Sequence, residues 1–439
     1  MKLDFHKGTI VIEGEYSVPH TKWDSRKNVY RAQGLYYKDI KEYLNKSDIQ
    51  YRDKVMELIP SPTYSSSITL RPYQEEAYNN WLNVKKGSVI MPTGAGKTVL
   101  ALKIIEQLNT STFIVVPTLD LVKQWKEELI NAFSLEIGEY TGNKKVLRAI
   151  TVSTYDSAYL NAEHLGNKFE LLIFDEVHHL ASEGYQNIAE MFVSPYRLGL
   201  TATYERADGK HKELNRIIGG KVYEIETDEL TGDYLADFER KKIKVAFKEE
   251  EREEYEETYN IFKQYLISRQ ITLRSGSDFK KIVMRSGRDL EARKAILARN
   301  KAEKMAFNSQ NKIEKLKELL DKENRTIIFT KYNNTVYRIA RRFLIPCITH
   351  KTYKSEREEI LRKFKQGKYK VIVSSRVLDE GINVPEANVG IIISGTGSSR
   401  EYTQRLGRLL RPRPNKKAIL YELITRKTME VKTAARRRS

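Results

Sequence analysis

Two long stretches of the chain alternate short apolar runs with segments of helical periodicity. In the first, the apolar runs are Ser88–Met91, Phe113–Val116, Ala149–Val152, Leu171–Phe174 and Tyr196–Leu200. In the second they are Thr326–Phe329, Lys370–Val373, Val389–Ile393 and Ala418–Leu423. Apolar runs this short, bounded by polar residues and separated by helical patterns, predict parallel strands with helices on both faces. The fold class expected is therefore α/β, with two parallel-sheet domains at 63–235 and 306–439. Between them, 240–305 opens on the acidic run Glu249–Glu257 and then turns basic around Phe262, Tyr265 and Phe279. Few apolar strands interrupt it, so it reads as a helical insert. Residues 1–62 form a small separate unit, with a strand at Gly8–Glu13 and a helix around Tyr37–Asn45, closed by Pro60 and Pro62. No repeat of fixed period is visible.

Charge sharpens this picture. The 439 residues carry a formal net charge of +19. Residues 263–304 hold 12 Lys/Arg against 4 Asp/Glu, and residues 400–439 hold 13 against 3. Charge gathered in two windows suits a polyanion, either nucleic acid or an anionic membrane surface. The alternative is a lysine-rich solvated face. No apolar run approaches the ~20 residues of a membrane span, and Asp4, His6, Lys7, Glu13 and Glu15 spoil any leader. A single cysteine, Cys347, excludes an intramolecular disulfide and a multi-cysteine zinc cluster, and reads as an inert buried thiol. The expected compartment is reducing and cytoplasmic.

Candidate chemistry lies where the apolar runs end, the edge at which open parallel sheets bind ligands. After the first run comes Met91-Pro92-Thr93-Gly94-Ala95-Gly96-Lys97-Thr98. Its glycines let backbone N–H groups turn inward around a phosphate. Lys97 brings positive charge to the β- and γ-phosphates of ATP, and the Thr98 hydroxyl reaches Mg²⁺. A strict P-loop has glycine where Met91-Pro92 stands, so the motif is the shorter Gly-x-Gly-Lys-Thr form. The helix Val99–Leu108 should follow. The run Leu171–Phe174 ends in Asp175-Glu176-Val177-His178, 78 residues after Lys97. Asp175 is placed to hold the Mg²⁺ shell and Glu176 to polarise the attacking water, with His178 within reach of the γ-phosphate. Further on, Gln404-Arg405-Leu406-Gly407-Arg408-Leu409-Leu410-Arg411 puts Gln404, Arg408 and Arg411 on one face of a helix. Two guanidiniums there suit phosphates; a solvated basic helix is the alternative.

Taken in order, these motifs resemble helicase superfamily two. Leu70-Arg71-Pro72-Tyr73-Gln74, Val116-Pro117-Thr118 and Leu200-Thr201-Ala202-Thr203 fall at the family's places among them. The resemblance covers roughly residues 66–232 and 306–430 and implies two RecA-like helicase domains. Arg197–Arg206, Val377–Ala387 and Gln404–Pro412 look like the XPB branch, closest to its archaeal members. Trp23-Asp24-Ser25-Arg26 and Tyr30-Arg31-Ala32 resemble that branch's damage-recognition domain, and the basic insert occupies the place of its thumb.

The resemblance implies an ATP-driven DNA translocase or helicase of 3′ to 5′ polarity, acting on single-stranded and forked DNA in repair or transcription opening. It implies ATP and Mg²⁺, a nuclease partner and a monomeric motor, and no membrane. Arg71 and Gln74 would contact adenine, and the Gly381–Asn383 segment the ribose. Pro117, Thr118, Thr154 and Ser375 would touch one tracked strand, with Arg206 and Asp208 nearby. His178, Thr201 and Thr203 would couple nucleotide state to DNA grip. Arg408 and Arg411 would be arginine fingers, supported by Gln404. Three departures stand out. Met91 replaces a small residue, and Asn383 stands where an aspartate is frequent. The family's Arg-Glu-Asp wedge reads Arg206-Ala207-Asp208, which predicts good translocation with poor strand separation. Rival readings are an RNA helicase, a restriction-type translocase subunit and a non-catalytic DNA-binding scaffold. No second acidic constellation makes the chain itself a nuclease.

Overall fold

The computed structural model describes residues 1–14, 17–206, 208–230, 238–273, 276–321, 323–375, 387–395 and 418–436. They fall into two compact units that divide at residue 234/235.

The first unit begins with a five-stranded sheet of order β3-β4-β2-β1-β5. Its strands are β1 (Lys2–His6), β2 (Thr9–Glu13), β3 (Lys22–Asp24), β4 (Val29–Gln33) and β5 (Arg52–Lys54). Neighbours are antiparallel except β1 and β5. Alternation along β2 sends Ile10 and Ile12 inward against Ile40 and Leu44 of the helix Tyr37–Lys46, all fully buried. The segment after β5 ties this sheet to the rest of the unit. Asn167 Nδ2 donates to the Val55 carbonyl (3.1 Å), while Glu57 and Ile59 N–H groups reach the carbonyls of Asn167 and Lys168. Gly34 sits so close to the Met191 backbone that a Cβ there would lie 2.5 Å from its carbonyl oxygen.

The remainder of this unit is an eight-stranded sheet of order β13-β6-β12-β11-β7-β10-β8-β9. It comprises β6 (Lys86–Ile90), β7 (Thr112–Val116), β8 (Gly138–Tyr140), β9 (Lys145–Val146), β10 (Ile150–Thr154), β11 (Leu171–Asp175), β12 (Tyr196–Thr201) and β13 (Lys221–Glu224). All neighbours run parallel except β8 and β9. Strands β7, β10 and β11 are buried at every residue, the signature of a parallel sheet covered on both faces. A cation lies inside this core. Arg197 on β12 is 2% exposed. Its guanidinium donates to the carbonyls of Ser194 (3.0 Å), Ala189 (2.7 Å), Ile217 (2.9 Å) and Phe192 (2.7 Å). Burial lowers its pKa to about 9, which leaves it charged at neutral pH.

The second unit is a six-stranded, wholly parallel sheet of order β14-β19-β18-β15-β17-β16. Its strands are β14 (Phe238–Val245), β15 (Thr326–Phe329), β16 (Cys347–Ile348), β17 (Val371–Ser374), β18 (Val389–Ile392) and β19 (Ala418–Thr425). Residues 240–245, which pattern alone groups with the helical insert, belong instead to strand β14. An edge strand needs only one apolar face, and Ile243 and Val245 supply it to the core beside Leu423. The rest of the insert is helical: Glu249–Ser268, Gly276–Arg285 and Leu290–Phe307. Buried alanines 292, 295, 298, 302 and 306 line one side of the last helix, at a spacing that lets Phe262 and Tyr265 of the first pack closely. Lys312 is fully buried and donates to both carboxylate oxygens of Glu430 (2.7 Å each) and to the Ile393 carbonyl (2.8 Å).

Candidate functional site

Strand β6 delivers the chain to the phosphate loop. The Met91 N–H still donates to the Thr201 carbonyl (3.0 Å), so the loop leaves the sheet from a fixed point, and the Met91 side chain is fully buried. Gly94 and Gly96 then adopt φ values of 89° and 80°, a region that side chains rarely enter. The helix Lys97–Leu108 starts at once, two residues before the Val99 start expected from the sequence. Thr93 and Thr98 are half-buried. Lys97 Nζ folds back onto the loop, donating to the carbonyls of Met91 (3.0 Å) and Pro92 (3.3 Å).

The helix Pro72–Val84 holds this loop. Gln74 Nε2 donates to the carbonyls of Ala95 (3.0 Å) and Gly96 (3.3 Å), and Gln74 Oε1 accepts the Arg71 N–H (2.9 Å). Tyr73 reinforces the contact through its hydroxyl to the Ala95 carbonyl (3.0 Å). Sequence reasoning assigns Arg71 and Gln74 to adenine. In this structure both amide hydrogens of Gln74 serve the phosphate loop, and Arg71 Nη1 reaches the Tyr73 hydroxyl (3.3 Å).

Two strands away in the same sheet, β11 ends in the acids. The Asp175 carboxylate accepts from Trp125 Nε1 (2.9 Å) and from the Glu176 N–H (3.0 Å). Burial, then the neighbouring Glu176 charge, raises the Asp175 pKa to about 6. Glu176 sits at φ 50°, a left-handed position that turns its side chain off the strand. The Tyr155 hydroxyl pins this turn through the carbonyls of Asp175 (3.1 Å) and Glu176 (3.4 Å). Trp125 and Tyr155 are contributions that sequence reading misses. Both fall in apolar stripes that look like plain core.

Thr201, at the end of β12, is the hub of this edge. Its Oγ1 lies 3.0 Å from His178 Nδ1, 3.3 Å from Glu176 Oε2 and 2.9 Å from the Thr203 carbonyl, and it accepts the Thr203 N–H (3.1 Å). The hydroxyl has one proton, for which the Glu176 carboxylate and the Thr203 carbonyl compete, while the His178 tautomer decides whether Nδ1 donates to the hydroxyl or accepts from it. The wedge-like motif joins the same turn. Arg206 Nη1 donates to the His178 carbonyl (2.8 Å), while Nε and Nη2 grip Asp208 bidentately (3.0 and 2.8 Å). That guanidinium holds the Asp208 carboxyl well below the usual carboxylate range.

Pro117 and Thr118 follow β7, and Thr154 closes β10, so both lie on the same edge as the phosphate loop. Thr118 and Thr154 accept the N–H groups of Leu121 and Ser157 as helix caps (3.3 Å each). Ser375 follows β17 in the second unit, where its N–H donates to the Ile348 carbonyl (3.2 Å). Gly381, Asn383, Gln404, Arg408, Arg411 and Ala207 lie outside the described residues. Among the described residues no helix is long and apolar enough to cross a membrane.

Three family models match the chain. Residues 3–55 match the Xeroderma pigmentosum group B helicase damage recognition domain. Residues 67–206 match the type III restriction enzyme res subunit, and residues 311–413 the helicase conserved C-terminal domain. The chain is 45% identical to the DNA 3′-5′ translocase XPB2 of Sulfurisphaera tokodaii, over 99% of each protein. It is 32% identical to the putative DNA 3′-5′ helicase Rad25 of Halobacterium salinarum, matching 83% of this chain and 55% of that protein. Among solved structures, the Pyrococcus furiosus Hef helicase domain aligns with a TM-score of 0.55 and 19% identity, over 84% of this chain and 98% of that one. This last likeness concerns the fold.

Proposed function

The chain belongs to the XPB family of superfamily-two helicases, and we propose that it hydrolyses ATP to move 3′ to 5′ along DNA, in repair or in opening DNA for transcription. The observation that carries this reading is the phosphate loop and the acids Asp175-Glu176 on one edge of the first sheet, joined through Thr201 to His178.

In the proposed reaction Lys97 leaves the carbonyls of Met91 and Pro92 for the β- and γ-phosphates. The N–H groups of 93–98 turn toward the same oxygens. Glu176 orients the attacking water and takes its proton. Thr201 senses whether Glu176 or His178 holds its hydrogen bond, and passes that state to Thr203 and the loop beyond. Mg²⁺ fits the donors present: the Thr98 hydroxyl and the Asp175 carboxylate are hard oxygens, and a bound cation would favour the ionised Asp175 carboxylate against the burial that raises its pKa. When bound it neutralises charge on the phosphates. Gln74 tunes the loop, with Arg71 left to face the base and Gly381 and Asn383 the ribose. Arg408 and Arg411 supply transition-state charge, supported by the neutral amide of Gln404. Pro117, Thr118, Thr154 and Ser375 hold the backbone of the tracked strand, a sequence-independent grip. A single-copy motor working with a nuclease completes the reading.

The test is ATP turnover with and without single-stranded DNA. Stimulation by DNA, weaker stimulation by RNA, and near-complete loss in Lys97→Ala and Glu176→Gln are expected. Near-normal turnover by Glu176→Gln protein would falsify the role given to that carboxylate. Fork unwinding measured beside ATPase tests the altered wedge. Wild type should hydrolyse well and separate strands poorly, and Ala207→Glu should improve separation.

A further inference from the structure

The carboxyl edge of the second sheet carries an aromatic side chain that the proposed motor leaves unused. In strand order, Lys331 follows β15, Ser375 follows β17, and the turn 349–353 follows β16, so the three loops stand side by side along that edge. The turn is tightly bonded. The Thr349 N–H donates to Thr352 Oγ1 (2.9 Å), the Lys351 N–H to Thr349 Oγ1 (3.2 Å), and the Thr352 N–H to the Thr349 carbonyl (3.1 Å). Tyr353 comes next and is 81% exposed. Its carbonyl accepts the Arg357 N–H (2.9 Å), which fixes its backbone to the start of the helix Lys354–Lys365. The ring thus projects from a rigid base. His350, Lys351 and Lys354 around it are exposed as well.

We infer that Tyr353 stacks on an unpaired base of the DNA strand whose backbone Ser375 is proposed to hold. The inference rests on the DNA-motor reading and deepens it. Proteins that bind single strands combine cationic side chains along the backbone with aromatic faces for the bases. A lone ring among His350, Lys351 and Lys354 fits a base flanked by phosphates. An apolar protein surface would meet three polar neighbours instead. Stacking tolerates every base, so it adds grip without adding sequence preference. A motor held by phosphate contacts alone slides readily. One stacked base gives the second unit a catch that must release at each advance.

The experiment measures binding of the full chain to labelled oligothymidylate and to an abasic strand of equal length. Wild type should prefer the strand with bases. Tyr353→Ala should lose roughly 5–100-fold on that strand and no longer distinguish the two. Tyr353→Phe should keep the preference. The salt dependence of Tyr353→Ala should match wild type, because no phosphate contact is removed, whereas Lys351→Ala should flatten it. With Tyr353 so exposed, the melting temperature should not move. DNA-stimulated ATPase, read in parallel, separates the two levels of the argument. No stimulation in wild type sinks the motor reading and this inference with it. Normal stimulation, together with Tyr353→Ala binding both strands as wild type does, overturns the stacking contact alone.

Discussion

Each unit buries a cation in its core, and the two are held by opposite means. Lys312 in the second unit meets the Glu430 carboxylate, its opposite in charge. Arg197 in the first unit is bonded to four backbone carbonyls, which are dipoles. The pair in the second unit joins the helix Gln310–Leu319 to the helix Met429–Arg436, over 118 residues of sequence. The guanidinium in the first unit collects carbonyls at the C-terminal ends of the helices Gln186–Met191 and Glu213–Ile217 and from Phe192 and Ser194 in the loop between the first of these helices and β12. A Lys could not replace it there with equal effect, because three donors on a flexible stem do not match a rigid five-donor fork. Asp175 extends the contrast. It too is a buried charge in the first unit whose carboxylate accepts from N–H dipoles. The second unit neutralises its buried charge internally, while the first keeps one carboxyl at a raised pKa on the edge where a cation is proposed to bind.

This contrast predicts a ranking of damage. Arg197→Met should be the worst change, since it strands four carbonyls at ~1–3 kcal/mol each. A loss above ~4 kcal/mol in chemical unfolding is expected, and one below ~1 kcal/mol would show that the carbonyls find water. Glu430→Gln should cost about 3–5 kcal/mol by leaving Lys312 buried without its counter-charge. The double variant Lys312→Met with Glu430→Leu should recover most of that loss. Failure to recover would mean the pair fixes the helices by more than its charge.

Asp175 gives a smaller effect with a definite sign. Its carboxyl is raised to about 6 from an ordinary 3.8, by burial first and then by Glu176. Folding therefore favours the protonated form. Stability from this group is fully present below pH ~4 and is lost as pH rises to ~6, by up to ~3 kcal/mol. The difference in melting temperature between wild type and Asp175→Asn, followed from pH 4 to 7 without nucleotide, should show it. A constant difference across that range would contradict the shift.

Exposed charge should matter least to stability and most to salt. Arg269 and Lys281 lie in the basic insert, with Arg269 paired to Glu291 (2.9 Å) at the surface. Alanine at Arg269, Lys280 and Lys281 together should leave melting almost unchanged. Each lost phosphate contact should flatten the log–log salt slope of DNA binding by about 0.7–0.9. An unchanged slope would make the insert a solvated face.

In the two large sheets β6, β7, β10, β11, β12, β15, β17, β18 and β19 were legible, because burial on both faces leaves continuous apolar runs, as in Phe113–Val116 and Leu171–Phe174; the short β8 was not. The phosphate loop and Asp175-Glu176 were legible because their chemistry is local. Edge strands were not. Phe238–Val245 carries four Lys/Arg and a Glu among its eight residues, and β3 and β5 are short and largely polar. Nor could sequence spacing reveal that Gln74 holds the phosphate loop, or that Lys312 meets Glu430, since those partners meet only after folding. Arg197 did leave a signal: a charge inside the run Tyr196–Leu200 is out of place unless its donors are all occupied.

The pairing of β14 with β19 bears on how the protein is made. All eight residues of Phe238–Val245 align with Ala418–Thr425, so the strand that opens the second unit waits for one synthesised some 180 residues later. Until the ribosome has released that partner, β14 has no neighbouring strand in its sheet and presents backbone groups open on both sides to the cell. The first unit has all its described strands by Glu224 and can fold while synthesis continues. The newborn chain should therefore pass through a stage with one finished half and one waiting half. Shortening the chain to before Ala418 should yield aggregates, whereas stopping it near residue 235 should yield a soluble first unit.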